Sequence, residues 1–125
     1  MILTFQKRFV QPILNGTKFH TIRADKHNRW NIGMKIQFWC GNPRNPSKQP
    51  YQFAEGIVKE IMPIWIYPER DGININYIYI LRDINELNSF ARRDGFRDWE
   101  DMKTFFPDNF EGKLIIWEQP IKEEK

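Results

Sequence analysis

The sequence predicts an α+β fold, a small β-barrel of five or six short strands with two or three short helices packed on its outside or ends. Several stretches alternate apolar and polar residues as half-buried strands do, and two segments near the C-terminus have the apolar spacing of surface helices. Aromatic residues are abundant, with ten Phe, five Trp and four Tyr, enough for one real core. We expect one domain over residues 1–120 and a flexible tail over 121–125.

The predicted strands are short and separated by turn residues. Residues 35–40 alternate, residues 72–80 give the strongest strand pattern, and the prolines and asparagines of 41–50 predict a loop. Pro63 and Pro68 predict an irregular stretch after the strand at 53–61. The strands are expected at residues 1–5, 17–23, 35–40, 53–61, 72–80 and 113–118.

Three helices are expected. A short one over residues 11–15 ends at Gly16, because glycine adopts the left-handed conformation that closes a helix. Asp83 begins a second helix, which ends at Gly95. Asp98 begins a third, which Pro107 closes.

Composition excludes several classes of protein. The net charge of +3 is mildly basic and permits an anionic partner without requiring one. The single cysteine cannot form an internal disulfide, and His20 and His27 are too scattered for a zinc site. No signal pattern and no membrane-length apolar run is present. We therefore expect a cytoplasmic protein with no metal and no cofactor.

Four segments carry a resemblance to a known family. These are Phe9–Arg23, with the pattern Gly-x-Lys-x-x-Thr-x-Arg, then Trp30–Gly33, then Ala91–Trp99, and finally the closing strand with Trp117 and Glu118. In this order they resemble ASCH domains of the PUA-like superfamily. The resemblance implies a PUA-like β-barrel whose cleft handles RNA or nucleosides.

The resemblance also implies candidate site residues. One bacterial branch of the family comprises amidohydrolases that remove the acetyl group from N4-acetylcytidine, with a lysine, a threonine and a glutamate in the site. The matching positions here are Lys18, Thr21 and Asp94, so aspartate replaces glutamate at the third. By this match the three are candidate catalytic residues. Because side chains alternate along a strand, Lys18 and Thr21 share a face only if a turn or bulge separates them.

Three further residues are candidates for substrate binding. The forked guanidinium of Arg23 suits a phosphate or a nucleobase edge. His20 lies between the two motif residues, and Trp30 could stack on a base, as could Trp39 and Trp65. Core packing is an alternative for these tryptophans.

Two functions remain open from the sequence. The first is hydrolysis of an amide on an N4-acylated cytidine, with Lys18 activating Thr21 or a water and Asp94 moving a proton or holding the exocyclic nitrogen. The second is a non-catalytic RNA-binding module that uses the same cleft. The expected partner is a nucleoside or RNA, without a membrane and without sequence-specific DNA binding. The oligomeric state does not follow from the sequence.

Overall fold

A computed structural model describes residues 1–118 and the backbone of 121–122. Its strands are β1 Ile2–Phe5, β2 His20–Arg23, β3 Lys35–Cys40, β4 Tyr51–Tyr67, β5 Gly72–Ile75, β6 Tyr79–Leu81, β7 Phe110–Trp117 and β8 Ile121–Lys122. Its α-helices are α1 Val10–Leu14, α2 Ile84–Arg93 and α3 Trp99–Phe105. Single turns of 3₁₀ helix lie at Lys7–Phe9 and Pro46–Lys48. The predicted α+β class is confirmed.

The long strand β4 organises one mixed sheet. Its first half pairs with β3 and β8, and its second half pairs with β5 and β7. β1 pairs in parallel with β3, and β2 pairs antiparallel with β7. β6 pairs antiparallel with β5 and forms an edge of the sheet. The core is filled largely by aromatic and branched side chains from these strands and from α1, α2 and α3.

The expected closed barrel of five or six strands is wrong: the described residues form eight strands, and the sheet does not close. β1 and β2 lie at separate edges of the sheet without a backbone ladder between them. One side chain crosses the gap, since Arg23 Nη2 donates to the carbonyl oxygen of Thr4 at 2.9 Å. The gap between β1 and β2 therefore leaves room for a cavity.

Two strand boundaries also differ from the expectation. β4 runs through Pro63, because proline is tolerated in a strand where its nitrogen needs no partner. Pro63 directly precedes Ile64, which pairs with Ile75 at the end of the β4–β5 ladder. The carbonyl oxygen of Pro63 accepts a hydrogen bond from the Asn76 amide. The expected single strand over 72–80 is a hairpin instead, with positive φ at Asn76 and Tyr77.

Two strands lie in the described part of the C-terminal segment. The final strand is confirmed and begins earlier, at Phe110. Ile121–Lys122, expected in a flexible tail, pair with β4 as β8, while residues 123–125 lie outside the described residues. No helix in the described part of the chain has the length and apolar character needed to cross a membrane.

The helix ends follow the predicted chemistry. The side chain of Asp83 accepts from the Asn85 amide at 2.7 Å, and that of Asp98 accepts from the Asp101 amide at 2.8 Å. Both are N-caps that satisfy amides left unpaired in the first turn. After α2, Gly95 has φ +94° and the Phe96 amide returns to the carbonyl of Ala91. This turn fixes Asp94 at the end of α2, facing β2.

Gly95 is required for a second reason, its closeness to the first motif. A Cβ built on it would lie 2.6 Å from Cδ1 of Phe9 and 3.0 Å from Cδ of Lys18. We expect Gly95→Ala to lose about 1–3 kcal/mol from the positive φ alone, and more from the overlap. Urea unfolding at neutral pH measures the loss.

Gly33→Ala is the matched control for this substitution. Gly33 has φ +89°, but a Cβ there would meet nothing within 4 Å. It therefore isolates the cost of the backbone conformation. Equal losses of stability in the two variants would contradict the packing role of Gly95.

Candidate functional site

The site lies at the gap between β1 and β2, where the end of α2 approaches the first motif. A cavity of about 310 Å³ opens there. The motif residues on it are Lys18, Thr21, Arg23 and Asp94. The other lining residues are Thr4, Phe5, Gln6, Phe9, Ile22, Phe96, Phe105 and Phe106. The structure therefore brings four of the six candidate residues to one cavity, although Asp94 is 76 positions from Lys18.

The ammonium of Lys18 is buried and engages three acceptors. It donates to the carbonyl oxygen of His20 at 2.7 Å, to that of Asp94 at 2.6 Å and to Asp94 Oδ1 at 3.0 Å. The rings of Phe5 and Phe9 lie 5.8 Å and 5.1 Å from Nζ. Hydrogen bonds and ring faces of this kind favour the charged lysine.

Lys18 lies outside any strand, so the alternation of side chains along β2 does not determine its direction relative to Thr21. β2 begins only at His20. Lys18 follows the turn after α1, and its amide donates to the carbonyl of Pro12. The alternation rule thus applies to Thr21 and Arg23, two positions apart on one face, and not to Lys18. The turn therefore lies before Lys18, at residues 15–17, and not between Lys18 and Thr21 as expected.

Asp94 is a buried carboxylate held by two partners. Besides Lys18, its Oδ1 is 2.9 Å from Nδ1 of His20. Its Oδ2 has no hydrogen-bond partner among the described residues, and Asp94 lines the cavity. Although the side chain is one methylene shorter than the glutamate of the family pattern, it still reaches Lys18. One carboxylate oxygen thus holds the lysine while the other is available to a ligand.

Burial and pairing act in opposite directions on these two groups. Desolvation lowers the pKa of Lys18 below its ordinary value, and the nearby Arg23 adds to this, while Asp94 raises it. Desolvation alone would raise the pKa of Asp94, but Lys18 and His20 hold it below the usual range for an aspartate. A lowered lysine pKa makes the neutral amine easier to reach than it is for a surface lysine.

Thr21 and Arg23 supply the remaining polar groups. Arg23 Nε donates weakly to Thr21 Oγ1 at 3.4 Å, and this is the only hydrogen bond of that hydroxyl among the described residues. The hydroxyl proton is therefore free to interact with a ligand. Arg23 Nη1 likewise has no partner in residues 1–118, while Nη2 is held by Thr4.

Two of the expected substrate-binding residues lie away from the cavity. His20 is buried behind Asp94, with its ring stacked on Phe90 at 5.2 Å, so it supports the carboxylate. Trp30 is buried in the hydrophobic core, because its backbone is anchored by Asp25 and the chain turns inward before β3. Trp39 and Trp65 do not line the cavity either. His20 and Trp30, which were expected to contact the ligand, therefore lie outside the lining of this cavity.

Phenylalanines, not tryptophans, form the apolar wall of the site. Five of them line the cavity: Phe5, Phe9, Phe96, Phe105 and Phe106. Phe9, Phe96 and Phe105 pack edge-to-face at centroid distances of 4.8 to 6.2 Å. Arg8 covers these three rings and bonds to Asp101, which ties the start of α3 to the segment before α1. Phe105 and Phe106 lie at the end of α3, so part of this wall comes from the third helix.

The polar set fits an organic ligand. Among the described residues, no three His, Cys, Asp or Glu side chains are grouped as ligands for a metal ion. A flat ring against the phenylalanines would meet an acceptor at Asp94 and donors at Thr21 and Arg23. This arrangement suits a molecule that carries both an amide N–H and carbonyl oxygens.

Comparison with known proteins identifies the fold. No protein-family model matches the sequence. No curated protein matches it either. Among solved structures, the chain is similar to a point mutant of the ASCH protein of Zymomonas mobilis, with 13% identity, a TM-score of 0.58 and coverage of 98% of this chain and 73% of that one. It is also similar to the ASCH protein itself, with 16% identity, a TM-score of 0.55 and coverage of 96% and 68%. The chain therefore has the fold of these ASCH structures.

Proposed function

We propose that this ASCH-fold chain is an amidohydrolase that removes the acyl group from N4-acylated cytidine or a closely related modified nucleoside. The observation that carries the proposal is the buried Lys18–Asp94 pair, which opens onto the same cavity as the Thr21 hydroxyl. A buried ion pair is a costly feature, and an uncommitted hydroxyl beside it provides a nucleophile. The resemblance of the first motif to the amidohydrolase branch supports the same residues.

The substrate fits by complementary groups. The pyrimidine ring packs against the phenylalanine wall, and the N4–H of the amide donates to the free Oδ2 of Asp94. Arg23 orients the ligand through Nη1, which has no other partner in residues 1–118. The acyl carbonyl carbon then lies next to Thr21.

The reaction proceeds in two steps, acylation of Thr21 and hydrolysis of the acyl-threonine. Once Lys18 has released its ammonium proton to solvent, Thr21 Oγ1 bonds to the acyl carbon and passes its proton to the neutral amine of Lys18, and Lys18 then delivers that proton to N4 as the C–N bond breaks. Cytidine leaves with an amino group. Water next attacks the acyl-threonine with Lys18 again as base, which releases the carboxylic acid and restores the hydroxyl. The lowered pKa of Lys18 favours this role, because a base must first be neutral.

A panel of acylated nucleosides tests the proposal. We expect the purified protein to convert N4-acetylcytidine to cytidine and acetate. Chromatography of the nucleosides and an assay for released acetate measure this conversion. Cytidine esterified on its ribose is the control substrate, since it carries an acyl group without the N4 amide. Conversion of the ester alone would contradict the assignment of an amide substrate.

The second candidate, an RNA- or nucleoside-binding module, rests on a different observation. All three protons of the Lys18 ammonium are already bonded, as in a fixed structural cation. If calorimetry detects binding of acylated cytidine or RNA and the protein shows no turnover, the binding module is the correct function and the enzyme is not. A protein that shows no turnover and no binding would contradict both functions for this ligand class.

A further inference from the structure

The β5–β6 hairpin carries the largest run of exposed apolar side chains in the described part of the chain. Tyr77, Ile78, Tyr79 and Ile80 are consecutive, and their exposed fractions lie between 49% and 77%. Ile84, at the start of α2, adds another isoleucine that is 52% exposed. Contiguous apolar surface of this kind marks interaction sites on soluble proteins.

The hairpin also ends the sheet. β6 pairs with β5 along one side, so its other side presents unpaired backbone N–H and C=O groups. Two of the usual protections of an edge are absent, because residues 72–81 contain no proline and no charged residue. The edge is therefore ready to pair with another strand.

The chemistry of the hairpin selects the kind of partner. An uncharged stretch of ten residues offers nothing to the phosphates of a nucleic acid, whose binding depends on lysine and arginine. An isologous contact needs a surface that complements itself. An antiparallel β6–β6 pair meets this condition, because the same apolar residues occur on both sides of a two-fold axis.

We propose that this protein forms a two-fold dimer through β6, in the register centred on Ile80, the middle residue of the strand. That register places Ile80 opposite Ile80 of the second copy and Tyr79 opposite Leu81 of the second copy. Arg82 then falls opposite Ile78 of the second copy, so no two like charges meet.

The available area fits a modest affinity. Two tyrosines and three isoleucines exposed to this degree offer on the order of 600–700 Å² per copy, against about 800 Å² per partner in a standard interface. The strand itself is only three residues long, which limits the backbone bonds across the axis. We therefore expect a dissociation constant in the micromolar range, at roughly 1–100 μM.

Sedimentation and light scattering of the full chain, from about 1 μM to 1 mM, test the dimer. Wild type is expected to shift from monomer to dimer, and Ile80→Lys to stay monomeric, since the two new charges would face each other across the axis. Ile32→Lys is the matched control: Ile32 is 63% exposed but lies in the turn before β3, so this variant should dimerise like wild type.

Amide hydrogen exchange gives a second readout. In the dimer, the outward amides of residues 79–81 exchange more slowly as protein concentration rises, and those of the Ile32 turn do not change. A wild type that stays monomeric over the whole range overturns the proposal. A dimer that persists in Ile80→Lys overturns it as well, because it would use another surface.

Discussion

Replacing Lys18 with methionine is expected to destabilise the fold by about 3–5 kcal/mol at neutral pH, because removing one partner leaves a buried charge uncompensated. Lys18 and Asp94 are 2% and 3% exposed, and the carboxylate would keep only His20 beside it. Urea unfolding of wild type and variant measures the difference.

The pH dependence of this loss has a definite sign. In wild type, the pKa of Asp94 is held below its ordinary value of 3.8, so the stabilisation it contributes is present at neutral pH and is lost as pH falls below about 4. In the variant, desolvation acts on Asp94 without Lys18 to oppose it, so the folded state holds a proton on this carboxyl that the unfolded chain releases above about pH 4. Stability of the variant should therefore fall as pH rises from about 4 to 7.

Two variants provide controls for the buried pair. Lys103→Met removes a lysine that pairs with Asp71 and Glu100 near the surface, and it should cost less than about 1 kcal/mol. Adding Asp94→Asn to Lys18→Met should recover part of the loss, since the unpaired charge disappears. A double variant that loses the full sum of both single losses would contradict the ion-pair argument.

Local patterns in the sequence predicted elements better than they predicted the sheet. The caps at Asp83 and Asp98 and the stop at Gly95 are short-range chemistry, and each is confirmed. The path of β4 through Pro63 was missed, because whether a proline is tolerated depends on which neighbouring strand faces its nitrogen. That information lies in residues 72–81 and 110–117, not around Pro63.

The open sheet has a similar origin. Alternating strands are compatible with a closed barrel or with an open sheet, and closure depends on whether the first and last strands meet. Here the Arg23 side chain and the cavity occupy the space between β1 and β2. The feature that prevents closure is the same one that creates the site.

The candidate site shows both what a resemblance adds and where it ends. Nothing in local spacing joins Lys18 to Asp94, and only the match to the family motifs placed them together before the structure was known. The match named polar residues but not the wall around them, so Trp30 was expected at the ligand, whereas five phenylalanines line the cavity. Aromatic type alone does not determine which rings face a cavity.

The hydroxyl of Thr21 should matter for catalysis and very little for folding. Valine keeps the β-branched shape that suits β2, and the lost hydroxyl has only a 3.4 Å contact with Arg23 Nε. We expect Thr21→Val to lower kcat/KM on N4-acetylcytidine by roughly 10²- to 10⁴-fold, because the base at Lys18 would have no nucleophile to activate. Unfolding curves should superimpose on those of wild type within about 0.5 kcal/mol.

Thr21→Ser is the conservative partner and Thr17→Val the positional control for this experiment. Serine retains an oxygen at the same position, so activity should stay within about tenfold of wild type and far above that of the valine variant. Thr17 lies three residues before β2, is exposed and does not line the cavity, so its loss should leave turnover unchanged. Mass spectrometry of a rapidly quenched reaction should find one acyl group on the peptide that contains Thr21 in wild type and none in Thr21→Val. Full turnover by Thr21→Val would show instead that Lys18 activates a water directly, with no acyl-threonine formed.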